Sequence, residues 1–557
     1  MSTDVVIVGG GLAGSTLAIQ LSQRVPSLSI VVVERTSFPV PEAAHKVGES
    51  TVEMGSHYYN EVLGLSHALI PCKIPKFGLR YFYPHGDNSK IELRPELGQT
   101  HYHTVGSTNF DRGRQENILR DECIARGIRF VDGAKVSDVE LDAGGHRVTW
   151  EHAGQTETLE AKWVVDATGR RGLLKRKLDL AQSNGHAVGA AWFRIGESLA
   201  VDDMSDDAQW QRRVPFGMRR LSTNHFMGKG YWLWMIPLAN GSISVGIVAD
   251  PEHHPIETYN TLERARQWLS RHEPGAYALM EPHLSAVQDF RVQKRFSYGA
   301  KQVFSSDRWA LTGEAGVFVD PFYSPGSDFI AMSNGFITEL VAADVEGGDL
   351  ATLARAYDRQ YLQLYRSFLG LYEGQYSMFG NAQVMSLKIV FDYSGYWGST
   401  ALLYFQNKLH DLAFLKSVTV DMIQVHRLTT AGQKFFRKWH ALDDGAWAQA
   451  KMINYQTLDY LGQWQAHLTR SYTDEELRRV LRANRQVLEL VTAWLYRRAT
   501  GSDAPVNPYK LDLDAADLVN PPRTLDMFED LNDYVNANTE QRDGMRVLRE
   551  APARATG

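Results

Sequence analysis

Residues 5–14, Val-Val-Ile-Val-Gly-Gly-Gly-Leu-Ala-Gly, leave this chain little choice about how it begins to fold. Four β-branched residues make a short buried strand, and glycines then force a turn. Gly9 permits the tight bend, Gly11 lets the backbone approach a pyrophosphate, and Gly14 allows a helix to pack closely on the strand. Residues 16–25 are apolar enough for a packed helix, and residues 29–33 supply the next β-branched run. The unit predicted is strand–helix–strand in a parallel sheet. The N–H groups and dipole at the helix start favour phosphate, so Leu12 and Ala13 join the glycines as candidate binding residues. Glu34 closes the second strand about 20 residues on, where a carboxylate suits a ribose 2′-OH. Arg35 follows it. A ligand-free glycine turn is the competing reading, and the strand, helix and acid in sequence argue against it.

Length and composition set outer limits. With 557 residues, 44% of them hydrophobic, the chain can bury a large core in two or three domains. A net charge of −6 provides no general basic surface, so no nucleic-acid partner is expected. Cys72 and Cys123 make neither a disulfide framework nor a thiolate metal site, and they fit a reducing, cytoplasmic setting. No basic segment precedes the first strand and no apolar run suffices for a bilayer, so neither a signal peptide nor a membrane span is expected. His101-x-His103 and His253-His254 lack acids or cysteines at ligand spacing, and no metal is expected.

Further strands are predicted over residues 77–83, 148–150 and 163–165, the last running into Asp166-Ala167-Thr168-Gly169. Residues 112–127 read as helix. Residues 230–248 read as two antiparallel strands joined across Asn240-Gly241. From about 350 onward glycines thin out, and residues 353–371 and 474–499 carry long helical patterns.

Four segments carry chemistry. Trp232-Leu233-Trp234-Met235-Ile236-Pro237 alternates on a strand, so both indoles face one way until the proline ends the run. Gly313-Glu314-Ala315-Gly316 leads through Phe318 and Pro321 to Ser324 and Gly326, an irregular loop whose N–H groups can face an anion. Lys76-Phe77-Gly78 places a lysine just ahead of a strand. Lys46 competes with it in His45-Lys46-Val47-Gly48-Glu49-Ser50. Taken singly, each has an ordinary reading as a packed strand, a plain loop or a solvated lysine.

Together these segments resemble the flavin-dependent halogenases, whose signature reads W-x-W-x-I-P, over roughly residues 4–340. The resemblance implies an α/β fold: a Rossmann-like FAD domain of the para-hydroxybenzoate hydroxylase type, a substrate domain built on a mixed or antiparallel sheet, and a helical C-terminal region. Residues 1–345 would form the flavin module, with FAD-binding parts near 1–75, 105–180 and 290–345 and a substrate-side sheet near 76–104 and 181–290. Residues 346–557 would cover the substrate cavity.

Residue by residue, the resemblance puts Val47, Gly48, Glu49, Gly313, Glu314, Pro321 and Gly326 beside FAD, and Arg112 of Asp111-Arg112-Gly113-Arg114 near its phosphate. Glu314 stands where flavin hydroxylases have aspartate. Backbone at Gly326 and Ser327 would hold halide. Lys76 would be catalytic with Ser324 in support, and Trp232, Trp234, Ile236 and Pro237 would keep substrate from the flavin. The implied cofactors are FAD as FADH2, dioxygen and chloride or bromide. A separate NAD(P)H flavin reductase is implied because no second nucleotide-binding glycine loop is present. The implied setting is secondary metabolism such as antibiotic biosynthesis.

Tryptophan halogenases carry glutamate just before the motif serine, and this chain has Tyr323. That points to a free or carrier-tethered phenol or pyrrole rather than free tryptophan. An aromatic hydroxylase on the same fold, a prenyl reductase and a non-catalytic flavoprotein are the alternatives, separated by the halide dependence of any product.

Overall fold

The computed structural model describes residues 2–42, 47–443, 451–502, 504–511 and 527–539; Lys46 lies outside them. The opening unit folds as its sequence predicts, as strand Ser2–Val8, helix Leu12–Arg24 and strand Ile30–Val33. The two strands pair in parallel, Val5 opposite Ile30. Strand Ser2–Val8 also pairs in parallel with the long strand Gln155–Asp166, and Arg129–Val131 and Trp309–Leu311 extend the sheet in the same sense. The outer half of Gln155–Asp166 turns antiparallel against His146–His152, which pairs with Lys135–Glu140. Helix Arg112–Ala125 covers one part of this layer, its start capped by the Asp111 side chain accepting from the Arg114 N–H.

A second, eight-stranded sheet stands over it. Its order is Val287–Gln293, Gly189–Ile195, Ile243–Ala249, Tyr231–Pro237, Thr223–Gly228, Leu79–Phe82, Glu96–Gly98 and Met452–Asn454. Tyr231–Pro237 ends at its proline, which has no N–H for the ladder. Trp234 faces Gly246 across the ladder, and a Cβ at Gly246 would come within 2.2 Å of the indole, so only glycine fits beneath the ring.

The strand expected over 77–83 is shorter, Leu79–Phe82. Lys76 instead ends its own strand, Lys73–Lys76, paired antiparallel with Ser107–Phe110. Gly78 makes the bend between them at φ +66°, and a Cβ there would meet Gln99 Oε1 at 2.4 Å.

Helix Gly326–Val345 carries the chain into the C-terminal helices Leu350–Leu369, Ala382–Gly395, Leu412–Leu442 and Asp474–Thr500. Asp474–Thr500 starts in a capping box of Thr473 with Glu476 and stops at Gly501 in the left-handed region. The C-terminal region also supplies the sheet's eighth strand, Met452–Asn454, paired in parallel with Glu96–Gly98. One apolar cluster runs from Val5 to Val535, so the first strand and the last described helix share a core. A smaller cluster containing Leu233 and Met235 lies behind the second sheet. No described helix is long and apolar enough to cross a membrane.

Candidate active site

Two chambers meet between the sheets. The first, of about 910 Å³, is lined by Leu12, Val47, Gly48, Glu49, Arg112, Gly313, Glu314, Pro321, Ser324, Gly326 and Ser327, and also by Trp232, Trp234 and Ile236. The nucleotide loop, three separate glycine turns and the tryptophan strand therefore converge on one space. The glycine loop fits a bound pyrophosphate. A Cβ at Gly9 would lie 2.4 Å from Ala167 O and one at Gly14 1.9 Å from Gly9 O, whereas a Cβ at Gly11 would meet nothing within 4 Å. The first two glycines are required by protein packing; the third leaves open space at a helix start, where anions are favoured.

Other expected FAD residues have additional work. Glu34 accepts from the Gly10 N–H at 2.7 Å and the Thr36 N–H at 2.8 Å, which pins the loop to the second strand. Each carboxylate oxygen keeps a further acceptor site for a ribose hydroxyl. Arg35 is exposed beyond it. Glu49 is buried and accepts from Arg194 Nε at 2.8 Å; burial pushes its carboxyl up, against the opposing guanidinium. Arg112 braces the flanking loop, donating to Val47 O at 2.5 Å and Glu116 at 2.8 Å. Arg114 pairs with Glu42 instead. Glu314 lies 3.5 Å from Arg170.

The tryptophans belong to this first chamber. Their ring centroids are 5.6 Å apart, and each indole N–H is tied, Trp232 to Tyr376 OH at 3.0 Å and Trp234 to Ser244 Oγ at 3.1 Å. Alternation puts Ile236 on the same face; Pro237, at the strand end, is half-buried and is not part of the lining.

Lys76 sits at the junction with the second chamber, which it lines. Its Nζ donates to Ser50 Oγ at 2.8 Å and to Thr51 O at 2.7 Å. Ser324 Oγ lies 3.1 Å from the same Ser50 hydroxyl, and Ser324 holds a left-handed backbone, φ 57°, uncommon for a non-glycine residue. The lysine is 2% exposed, and burial drives its pKa down to about 7, with Glu53 and Asp328 opposing the fall. Gly326 and Ser327 open helix Gly326–Val345, and first-turn N–H groups have no partner within a helix. A Cβ at Gly326 would meet nothing within 4 Å, and Ser327 Oγ accepts from Tyr59 OH.

The second chamber, about 760 Å³, was largely hidden from sequence reading. Tyr102, His103, Tyr323, Tyr372, Tyr393 and Trp397 supply much of its aromatic wall, and Glu53, Asp328 and Asp392 its acids. Tyr323, standing where tryptophan halogenases have glutamate, donates to Asp392 at 2.8 Å; Asp392 also accepts from Gln433 at 2.7 Å and from Lys388. Asp328 accepts from the Gly55 N–H at 2.9 Å and Tyr396 OH at 2.8 Å, and burial pushes it up to about 7. Ser50 was readable in the Gly48-Glu49-Ser50 motif; the C-terminal aromatics gave no signal beyond the dense string Tyr393-Ser394-Gly395-Tyr396-Trp397. His103 Nε2 is 3.0 Å from Tyr455 OH, and His254 bonds Lys229 O and the Trp268 indole.

Comparison with known proteins agrees with this geometry. The tryptophan halogenase family model matches residues 4–81 and 83–379. Flavin-dependent halogenase chlA of Dictyostelium discoideum is 28% identical over 429 residues, 71% of this chain and 69% of that one. A 1H-pyrrole-2-carbonyl-[peptidyl-carrier protein] chlorinase of Pseudomonas fluorescens is 28% identical over 344 residues, 58% of this chain and 72% of its own. Among solved structures, a variant of halogenase PltM in complex with FAD superimposes with a TM-score of 0.62 at 16% identity, covering 98% of this chain and 99% of that one, and so shares its fold. With its glycine loop, tryptophan strand and chambered lysine, the chain belongs to the tryptophan halogenase family, enzymes that use reduced FAD, dioxygen and halide.

Proposed function

We propose that this enzyme installs chlorine or bromine on an electron-rich aromatic of the phenol, pyrrole or indole type, with Lys76 as the residue that presents the halogen. The observation that carries this reading is the position of Lys76, which lines the second chamber while its Nζ bonds Ser50, a residue of the first.

The glycine loop and the 47–49, 313–314 and 321–326 segments would hold reduced FAD, which would supply hypohalous acid from dioxygen and halide. The free N–H groups at Gly326 and Ser327 favour a halide there. Trp232 and Trp234 wall the flavin side, so an aromatic substrate in the second chamber stays away from the cofactor. Lys76 then holds the oxidised halogen, as an ammonium hydrogen-bonded to hypohalous acid or as a haloamine. Burial brings its pKa near 7, which makes the neutral amine accessible at physiological pH. The aromatic lining suits a planar ring by edge and face contacts. Tyr323 in place of glutamate favours substrates activated by their own hydroxyl or N–H group. The pyrrole chlorinase relative supports both that class and a carrier-tethered form. A separate NAD(P)H flavin reductase completes the system, and the low cysteine content supports a cytoplasmic location.

The test is mass spectrometry of products from purified protein with a flavin reductase, NADH, FAD, oxygen and a panel of phenols, pyrroles and indoles, with and without bromide. A bromine isotope pattern that disappears in Lys76→Ala, with FAD binding intact, is the expected result. Gain of one oxygen regardless of halide would make the enzyme a hydroxylase.

A further inference from the structure

Halogenating an aromatic ring releases one ring proton. The ring supplies the electron pair of the new carbon–halogen bond. The group that gives up the halogen, hydroxide or the Lys76 amine, keeps the old bonding pair and takes up a proton. The ring carbon then loses its hydrogen as a proton, and the C–H pair returns to the ring. The departing group takes its proton from the Lys76 ammonium or from solvent, and the reaction balances once a base near Lys76 receives the ring proton. With Tyr323 at the position before Ser324, that base must come from elsewhere in the chamber.

The described lining offers four candidates besides the lysine. Asp392 already accepts from Tyr323, Gln433 and Lys388, so its basicity is spent on three donors. Asp328 is committed on both oxygens, to the Gly55 N–H and to Tyr396 OH, and serves to fix two elements of the wall. His103 shares Nε2 with Tyr455 OH, and burial pushes its pKa down to about 4, which makes it a weak base. Glu53 is different. It is buried, lines the same chamber as Lys76 and lies three residues beyond Ser50, in the first turn of helix Glu53–His57. No side-chain hydrogen bond to it is seen among the described residues, and burial raises its pKa against the Lys76 charge, so it is a stronger base than an exposed carboxylate.

We infer that Glu53 is the general base of this enzyme, accepting the ring proton after Lys76 has delivered the halogen. The inference rests on the lysine-relayed halogenation proposed above.

The experiment uses the full-length enzyme, its reductase and bromide, with a substrate from the panel that wild type halogenates, in ring-protonated and ring-deuterated forms. Glu53→Gln is expected to lower kcat about 10²–10⁴-fold, to leave FAD binding unchanged, and to show a primary isotope effect larger than that of wild type, because ring deprotonation has become slow. Glu53→Asp should recover part of the rate with a smaller effect. Wild-type rate in Glu53→Gln would overturn the assignment. So would a loss of rate equal for both isotopic forms, which would make Glu53 a positioning residue for Lys76. If Glu53→Gln fails to bind FAD, Glu53→Asp decides, since a displaced base must still raise the isotope effect. Product surviving Lys76→Ala would sink the lysine relay instead, and Glu53→Gln read in that same assay still reports on the base. If wild type forms no halogenated product, both readings fall.

Discussion

Ser50 stands where the two chambers meet, and its hydroxyl is the shared partner of Lys76, Ser324 and Thr223. A hydroxyl has one donor and two acceptor sites, so these three contacts saturate it and fix the lysine's direction. Ser50→Ala leaves Lys76 with Thr51 O alone. A displacement of about 1 Å at a reacting group can cost about 10²-fold in rate. Steady-state kinetics should therefore show kcat lowered between about 10- and 100-fold, with KM little changed because Ser50 lies on the flavin side. Lys76 also sets a pH dependence. Its folded pKa is depressed to about 7 by burial, so protons leave it as pH rises through that value. If the neutral amine carries the halogen, the halogenation rate climbs with pH along a limb centred near 7, a range in which the neighbouring Asp328 also titrates. A profile flat between about pH 6 and 8 would favour the ammonium route.

At the scale of elements, the strands behind Lys76 are held by a buried ion network. Glu96, on strand Glu96–Gly98, accepts from Arg80 Nη1 at 2.5 Å and from Arg219 Nε at 2.8 Å, and Arg80 reaches Gln99 O at 2.6 Å. Glu96 thus bridges two guanidiniums that are 0% exposed, and Asp202 Oδ1 lies a further 3.6 Å from Arg219 Nη1. Glu96→Gln should destabilise the protein by about 3–5 kcal/mol in chemical denaturation, because it strands the buried Arg80 charge and leaves Arg219 with Asp202 at 3.6 Å. Burial alone would raise the Glu96 carboxyl, but Arg80 and Arg219 overcome it and hold the pKa below the ordinary value. The folded state thus binds the proton less readily than the unfolded one. The network's stabilisation is complete above the ordinary glutamate range and is lost as pH falls through the lowered pKa. Acid denaturation followed by circular dichroism should show a lower midpoint for wild type than for Glu96→Gln.

Across the whole molecule, the C-terminal region reaches back over 350 residues to close the second chamber. Gln465 holds both backbone groups of Val105, accepting from its N–H at 3.0 Å and donating to its carbonyl at 2.5 Å. Gln456 does the same at His101, at 3.2 and 3.0 Å. These two amides clamp the segment carrying Tyr102 and His103. Gln465→Ala should raise the substrate KM about 3–10-fold, the scale of one or two lost hydrogen bonds, while fluorescence titration shows FAD binding unchanged. What the sequence determined by itself is what local geometry encodes. The glycine loop was legible because Gly9, Gly11 and Gly14 act within one turn, and the tryptophan face because strand alternation is fixed at two residues. Lys76 was legible through its motif, although its strand ends at Lys76 rather than beginning after it. Which chamber each group faces was settled only by tertiary structure. Trp232 and Trp234 turn to the first chamber because Leu233 and Met235 are taken by the separate core behind the sheet. Glu53, Asp392, Trp397 and Tyr455 meet around one cavity because helices distant in sequence pack onto the second sheet, and no periodicity in the chain records that meeting.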